Sequence, residues 1–332
     1  MNFTPSKRSK YLFIRILEGC NADCFMCGFA LSKDKYRFSK DDMKNLIPQA
    51  KSIGTRFVRF TGGEPLLHRE IFEFVSLCSN ESLCTSLITN GFLLEQQVER
   101  LAKSGLQQVV VSIDAASAEA HDKYRNMRGL FNRAIAGIRA TKQLGLLLRV
   151  NTVVGPHNYE QMPALRDMLV EVGVDQWELS TLKLDQKLRY DDIEAVLAVG
   201  KIIYESPSRL VPMGVPWYGA TKAQQEDYFF KGIPPRPNGS RCHVTDDIIY
   251  LDGKNEMLFA CSCLPHRKSI SPYEAPLRLF SGVIDLTNEQ FESQKKQYAL
   301  VGPTQCQGCS STAAKYSDFI ESVQEVPCDW SY

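Results

Sequence analysis

Tyr11-Leu12-Phe13-Ile14-Arg15-Ile16-Leu17-Glu18-Gly19-Cys20-Asn21-Ala22-Asp23-Cys24-Phe25-Met26-Cys27 is an apolar run followed at once by three thiols within eight residues. The run has the length and content of a buried strand, and the cysteines then fall on the loop that leaves it. Apolar, β-branched runs of the same kind recur at 56–61, 84–89, 108–113, 147–154 and 175–180. Amphipathic stretches lie between them. Leu94, Val98 and Leu101 share a helical face that ends at Gly105, and Met162, Leu165, Leu169 and Val172 share another that ends at Gly173. Glycine just past the last periodic residue is a helix stop. Six strands alternating with helices predict parallel βα units with right-handed crossovers. Periodicity alone leaves open whether they form a doubly wound sheet or a full or partial barrel.

The chain has 332 residues, enough for about two domains. Apolar residues make up 44% and charged residues 23%, so extended disorder is excluded by the apolar surface available for burial. A net charge of +1 argues against a nucleic-acid binder that rests on many phosphate contacts. No apolar run approaches the 18 or so residues of a membrane span. Ser6-Lys7-Arg8-Ser9-Lys10 ahead of the first apolar run resembles a signal peptide, but Arg15 interrupts that run and no small-residue cleavage site follows. A cytoplasmic location is expected. There the 11 cysteines point to metal or redox chemistry rather than disulfides. Cys78 and Cys84 sit in apolar contexts and read as small buried hydrophobes.

Ser39-Lys40-Asp41-Asp42 is a capping box, followed by Met43, Leu46, Ile47 and Ala50 at helical spacing. Pro48 inside that helix should kink it. Residues 191–205 read as another helix, and the proline-rich, aromatic-rich stretch 206–240 reads as a linker or covering loop. Asp246–Tyr250 and Glu256–Ala260, with Gly253 between them, predict a β-hairpin. Helices at 287–299 and 312–323 would complete a small C-terminal unit. The expected domains are therefore 1–205, the 206–240 linker, and 241–332.

Three soft ligands on one loop suit zinc or an iron–sulfur cluster. Structural zinc takes four protein ligands, and no fourth Cys or His lies near Cys20, Cys24 and Cys27. Three cysteines instead fit a four-iron cluster in which one iron lacks a protein ligand. At this point the chain resembles the radical SAM superfamily, whose hallmark is Cys-x3-Cys-x2-Cys after the first strand of a partial barrel. Thr61-Gly62-Gly63-Glu64-Pro65 after the second strand is similar to the family's Gly-Gly-Glu motif. Thr89-Asn90-Gly91, Ser112-Ile113-Asp114 and Asn151 follow in order on the third, fourth and fifth strands. All fall at or near strand C-termini, where a parallel barrel gathers its active-site groups.

The resemblance implies an α/β fold, a partial (β/α)6 TIM-like barrel with a small C-terminal α+β iron–sulfur domain. It implies a cluster on Cys20, Cys24 and Cys27 that donates an electron to S-adenosylmethionine, giving a 5′-deoxyadenosyl radical that abstracts hydrogen from substrate. Gly62 and Gly63 would let backbone approach the methionine moiety. Glu64 would accept from its ammonium, and Ser112 and Asp114 would contact ribose or carboxylate oxygens. Asn90 and Asn151 join the expected cofactor contacts, as does Arg125, for which a surface salt bridge is the competing reading. Met26 stands where the family usually has an aromatic residue, with Phe25 one place earlier, and the family's fifth-strand glycine motif is not recognisable in 150–160.

A second set, Cys242, Cys261, Cys306 and Cys309, resembles the Twitch and SPASM extensions that hold auxiliary four-iron clusters. The places where a SPASM domain would continue its cysteines hold Lys315 and Phe319. One auxiliary cluster is therefore expected, in a Twitch-like domain, with Cys263 able to replace Cys261 because both fall on one strand face. A four-cysteine structural zinc site is the alternative. The expected substrate is a small polyol, sugar, aminocyclitol or nucleotide-linked molecule, undergoing oxidation, epimerisation or rearrangement. The first strand, starting near residue 11, leaves no room for a leading peptide-binding domain, so a ribosomal-peptide maturase is the second reading and a non-catalytic zinc protein the third. For epimerisation, Cys263 or Cys328 could return hydrogen to the substrate radical. For oxidation, Glu178, Lys183 and Asp185 are candidate bases, and His266-Arg267-Lys268 could grip a phosphate. The expected partners are a small-molecule substrate and an external one-electron reductant such as flavodoxin or ferredoxin, with no membrane and no nucleic acid.

Overall fold

The computed structural model describes residues 11–33, 36–155, 157–181, 211–213, 248–252, 257–259, 277–278, 285–289, 291–293 and 296. Cys242, Cys261, Cys263, Cys306, Cys309 and Cys328 lie outside them. So do Lys183, Asp185, residues 266–268, and the helices expected at 191–205 and 312–323.

The elements alternate as the apolar runs require: β1 (Tyr11–Leu17), α1 (Lys40–Ser52), β2 (Phe57–Gly62), α2 (Ile71–Asn80), β3 (Cys84–Thr89), α3 (Leu94–Lys103), β4 (Gln108–Ser112), α4 (Ala118–Arg125), α5 (Leu130–Gln143), β5 (Leu147–Val154), α6 (Met162–Glu171) and β6 (Gln176–Thr181). The six strands lie side by side in chain order, all parallel. Such sequential neighbours give a curved, partial TIM-like barrel rather than a doubly wound sheet, whose strand order reverses at a switch point. Val211–Met213, inside the stretch read as a linker, adds a seventh parallel strand, β7, to the free side of β6.

The predicted hairpin forms between β8 (Ile248–Asp252) and β9 (Met257–Phe259), antiparallel with Tyr250 opposite Phe259. It is not detached from the barrel. β8 pairs in parallel with β1, Tyr11 opposite Ile248 through Arg15 opposite Asp252, and β10 (Leu277–Arg278) extends the sheet beyond β9. Arg15 Nη1 reaches Asp252 Oδ2 at 2.8 Å while its Nη2 pairs with Glu18, tying this added edge to the start of the thiol loop.

Local chemistry fixes the helices. Ser39 Oγ accepts from Asp42 N at 3.0 Å and Asp42 Oδ2 accepts back from Ser39 N at 3.4 Å, closing the expected capping box at α1. α1 is continuous across Pro48, which withholds one backbone N–H from the helix ladder. Its buried face, Met43, Leu46, Ile47 and Ala50, packs into one core with Phe60, Phe74 and Leu87. Leu286 and Phe291 from the far end of the chain enter the same core, and Leu286 N donates to Gln49 Oε1 at 2.9 Å. The helix-facing side of the sheet is thus apolar. Among the described residues no helix is long and apolar enough to cross a membrane.

Candidate functional site

The C-terminal ends of β1 to β5 converge on the cysteine loop. Its stem is pressed against the end of β2. Gly63 N donates to Leu17 O at 3.0 Å and Glu64 N to Gly19 O at 2.9 Å. A Cβ on Gly62, whose φ is +140°, would lie 2.4 Å from Leu17 O, and one on Gly63 would lie 2.1 Å from Gly19 O. At these glycines the exits of two neighbouring strands approach each other closely.

Glu64 also turns inward. Its side chain is almost fully buried, 1% exposed. Oε1 accepts from Leu66 N at 3.0 Å and Thr89 Oγ1 at 2.7 Å, and Oε2 accepts from Asn90 N at 2.7 Å. Burial pushes its carboxyl above the ordinary carboxylate range, and the three donors pull it back. The carboxylate expected to meet an ammonium therefore fastens the end of β2 to the end of β3. Asn90 carries that order onward: its Nδ2 donates to Asn21 Oδ1 at 2.7 Å and lies 4.0 Å from Cys20 Sγ.

The other side of the loop is held by the end of α4. Phe25 N donates to Tyr124 O at 3.3 Å, Arg125 Nη1 lies 4.0 Å from Cys24 Sγ, and Asn126 Nδ2 donates to Asp23 Oδ2 at 3.4 Å. Three consecutive residues of α4 and its cap thus clasp three consecutive residues of the loop. The Phe25 ring meets His157 edge-on at 5.1 Å and Tyr124 at 6.4 Å, and Tyr124 Oη donates to His157 O at 2.7 Å.

Asp114 is fully buried. Its Oδ2 accepts from Arg125 Nε at 2.7 Å and its Oδ1 from Val153 N at 2.9 Å. Both oxygens thus accept from protein donors, and Asp114 is the ion-pair partner of Arg125. Arg125, 9% exposed, is not the surface salt bridge offered as its competing reading. Ser112 and Asn151 are half-buried and directly opposite each other on β4 and β5, and Asn151 is in turn opposite Glu178 on β6. Among the described residues the buried Oδ1 of Asn151 has no hydrogen-bond donor.

The thiols respond to these surroundings. Burial pushes the Cys20 thiol up to about 11, against the pull of the Ala22 N–H that points at its sulfur. Burial also raises Cys24, and the Arg125 guanidinium opposes it. Both environments thus supply donors that stabilise a thiolate once a metal replaces the proton. Among the described residues no three Cys, His, Asp or Glu side chains gather closely enough to hold a single metal ion. A four-iron cluster asks for a wider spread, because each cysteine binds a different corner, and a three-thiol loop with neighbouring N–H and guanidinium donors fits it.

A polar network also runs through the barrel interior. Arg59 on β2 donates to Ser86 Oγ at 2.9 Å and Gln108 Oε1 at 2.8 Å. Gln108 Nε2 donates to Gln176 Oε1 at 3.1 Å, which also accepts from Arg149 Nε at 3.0 Å. Arg149 Nη1 ends the chain on Glu178 Oε2 at 3.3 Å. This network crosses β2 to β6, and both guanidiniums are buried. Burial, with Arg149 adding its repulsion, pulls Arg59 down to about 9. In-strand arginines two or more residues from either strand end, within apolar runs, are the signal that could have revealed it.

Comparison with known proteins agrees with this geometry. Residues 14–169 match the model of the radical SAM superfamily. The chain is 35% identical over 161 residues to an AdoMet-dependent heme synthase of Methanosarcina barkeri, covering 48% of this chain and 46% of that protein. It is 33% identical over 174 residues to a probable GTP 3′,8-cyclase of Saccharolobus islandicus, covering 52% and 56%. The chain thus spans about half the length of these curated relatives. Among solved structures, Streptococcus suis SuiB bound to S-adenosylmethionine superposes with a TM-score of 0.65 at 18% identity, covering 89% of this chain and 68% of that one. Residues 14–169, with their thiol loop, glycine-tight β2 exit and partial barrel, are thus similar to the radical SAM superfamily.

Proposed function

We propose that this protein is a radical enzyme that binds S-adenosylmethionine through a four-iron cluster on Cys20, Cys24 and Cys27. The single observation that carries this reading is the double fastening of the thiol loop, by Asn90 on one side and Tyr124 to Asn126 on the other, at the mouth of the barrel. When bound, the cluster supplies the electron that splits the sulfonium into methionine and a 5′-deoxyadenosyl radical, which takes a hydrogen atom from substrate. The chain's own part is orientation and exclusion of water. Gly62, Gly63 and Glu64 hold the β2 exit against the loop. Ser112 and Asn151 offer polar groups from adjacent strands, and the unfilled acceptor of Asn151 suits a hydroxyl donor of the cofactor's ribose or of substrate.

The substrate class we favour is a small polyol, sugar, aminocyclitol or nucleotide-linked molecule, changed by oxidation, epimerisation or rearrangement. Relatives named for heme synthesis and GTP cyclisation support a small molecule over a polymer. Cys242, Cys261 or Cys263, Cys306 and Cys309 would hold one auxiliary cluster, Cys263 otherwise serving as hydrogen donor, and a flavodoxin or ferredoxin would supply electrons. A peptide substrate is the second reading, because SuiB bound to precursor peptide SuiA superposes with a TM-score of 0.66 over 95% of this chain. Anaerobic purification followed by iron and sulfide analysis tests the proposal: about eight irons are expected for two four-iron clusters and about four for one. Deoxyadenosine should form with S-adenosylmethionine and dithionite and vanish when Cys20, Cys24 and Cys27 are changed to Ala. A colourless protein with stoichiometric zinc would overturn it.

A further inference from the structure

Arg125 is fixed at both ends of its guanidinium. Nε donates to Asp114 Oδ2 at 2.7 Å, and Nη1 lies 4.0 Å from Cys24 Sγ. Asp114 cannot swing away. Its Oδ1 accepts from Val153 N at 2.9 Å, its backbone oxygen accepts from Asn158 Nδ2 at 2.9 Å, and its backbone N–H points at His121 Nδ1, 3.2 Å away. The two side chains are 11% and 0% exposed, so water screens the pair weakly. A buried cation thus faces the thiol loop from one direction, with a buried anion directly behind it. Reducing a four-iron cluster adds one negative charge without breaking a bond or moving a proton. A fixed cation beside one of its sulfurs favours that added charge, and an anion behind the cation disfavours it.

We propose that Arg125 is a positioning residue that raises the reduction potential of the cluster held by Cys24, with Asp114 holding it in place and partly offsetting its charge. This rests on the reading of Cys20, Cys24 and Cys27 as cluster ligands. It goes beyond that reading by giving the pair an effect on electron uptake that exists before S-adenosylmethionine binds.

The test is a redox titration followed by electron paramagnetic resonance, on anaerobically loaded full-length protein without S-adenosylmethionine. The relevant signal is the one that the Cys20→Ala, Cys24→Ala, Cys27→Ala triple variant lacks. Held at the wild-type midpoint, Arg125→Gln should lower the ratio of reduced to oxidised cluster about tenfold, equivalent to about 59 mV for a one-electron couple. Arg125→Lys, which keeps the charge, should change it far less, and Asp114→Asn should raise it. A merely structural role would lower cluster content in Gln and Asn variants alike without moving the midpoint in opposite directions. An unchanged ratio in loaded Arg125→Gln, or shifts of the same sign in Arg125→Gln and Asp114→Asn, would overturn the inference. Should Arg125→Gln fail to load, Asp114→Asn decides alone: no rise in the ratio overturns it. A wild-type chain that takes up no iron at Cys20, Cys24 and Cys27 would fail earlier, at the ligand reading itself, and is recognised by iron analysis before any titration.

Discussion

A Cβ placed on Gly63 would stand 2.1 Å from the carbonyl oxygen of Gly19, closer than any side-chain carbon can sit. The contact joins residues 44 positions apart and sets the spacing between the exits of β1 and β2. Because the opposing atom is backbone, it cannot turn aside as a flexible side chain would. Gly63→Ala should therefore cost about 3 kcal/mol, at the upper end of overpacking effects. Gly28→Ala, where nothing lies within 4 Å of the new carbon, should cost far less. Chemical denaturation of both variants checks the contrast, and equal losses would rule out the backbone clash as the cause.

Glu64 takes three hydrogen bonds with two carboxylate oxygens. In Glu64→Gln the remaining oxygen can serve Leu66 N and Thr89 Oγ1, which leaves an amide NH2 facing the N–H of Asn90. Removing the buried charge relieves desolvation, but a donor set against a donor costs more than the neutral group recovers. A net loss of about 2 kcal/mol is expected. Asn90 should loosen with it, and with Asn90 the bond to Asn21. Hydrogen exchange at residues 19–22 should accelerate in Glu64→Gln, and protection equal to wild type would refute the coupling.

The strands β1 to β6 were legible because a strand buried on both faces must be written as a continuous apolar run. The thiol loop was legible because its ligands lie within eight residues. What escaped depends on distance along the chain. The reason for Gly63 is Gly19, the partners of Glu64 are Thr89 and Asn90, and β8 finds β1 across 237 positions at Arg15 and Asp252. Arg59 and Arg149 escaped for a different reason. Each stands in an apolar run, where a charge reads as exposed, yet the interior of a barrel can satisfy it with residues from strands on either side. The short β7 carries too few residues for any periodicity to register.

The Tyr124 ring packs against Phe25 of the loop and against His157, and its hydroxyl donates to His157 O. Tyr124→Phe keeps the rings together and loses two hydrogen bonds, the one donated to His157 O and a longer one accepted from Gln161 Nε2 at 3.3 Å, a cost of about 1 kcal/mol. Tyr124→Ala removes the whole edge contact and should cost about 2 kcal/mol, the ring being only half-buried. The functional consequence lies in cluster retention. Loss of iron to a chelator, followed by visible absorbance, should be several times faster in the Ala variant and close to wild type in the Phe variant. Identical rates in all three would show that α4 does not restrain the loop.

Arg149 is fully buried and its Nη1 is paired with Glu178. Arg149→Met leaves that carboxylate without its guanidinium, and breaking one side of a buried pair costs more than removing both. With the Glu178 side chain 19% exposed, water softens the loss to about 2 kcal/mol. The double variant Arg149→Met, Glu178→Leu should recover at least half of it. The single change also removes the repulsion that Arg149 exerts on Arg59, so Arg59 should hold its proton more firmly in the variant. A double-mutant cycle measured by denaturation gives the coupling, and a double variant less stable than Arg149→Met alone would contradict the pairing.

His68 and His121 make the fold sensitive to mild acid. Both are buried, 3% and 0% exposed. The Nδ1 of His68 faces Glu70 N and that of His121 faces Asp114 N, so each accepts there in its neutral form. Burial, reinforced by Arg37 near His68 and Arg125 near His121, pulls each imidazole down to about 4. The unfolded chain titrates near 6.5, so between about 6.5 and 4 it binds two protons that the native state refuses. Their contribution to stability is therefore complete above 6.5 and falls as pH drops towards 4. At pH 5.5 each imidazole should account for about 1 kcal/mol of lost stability relative to pH 7.5. Denaturation between those two values measures the slope, and His68→Gln should flatten it even though its stability at pH 7.5 is lower. A slope unchanged in that variant would place the acid sensitivity elsewhere.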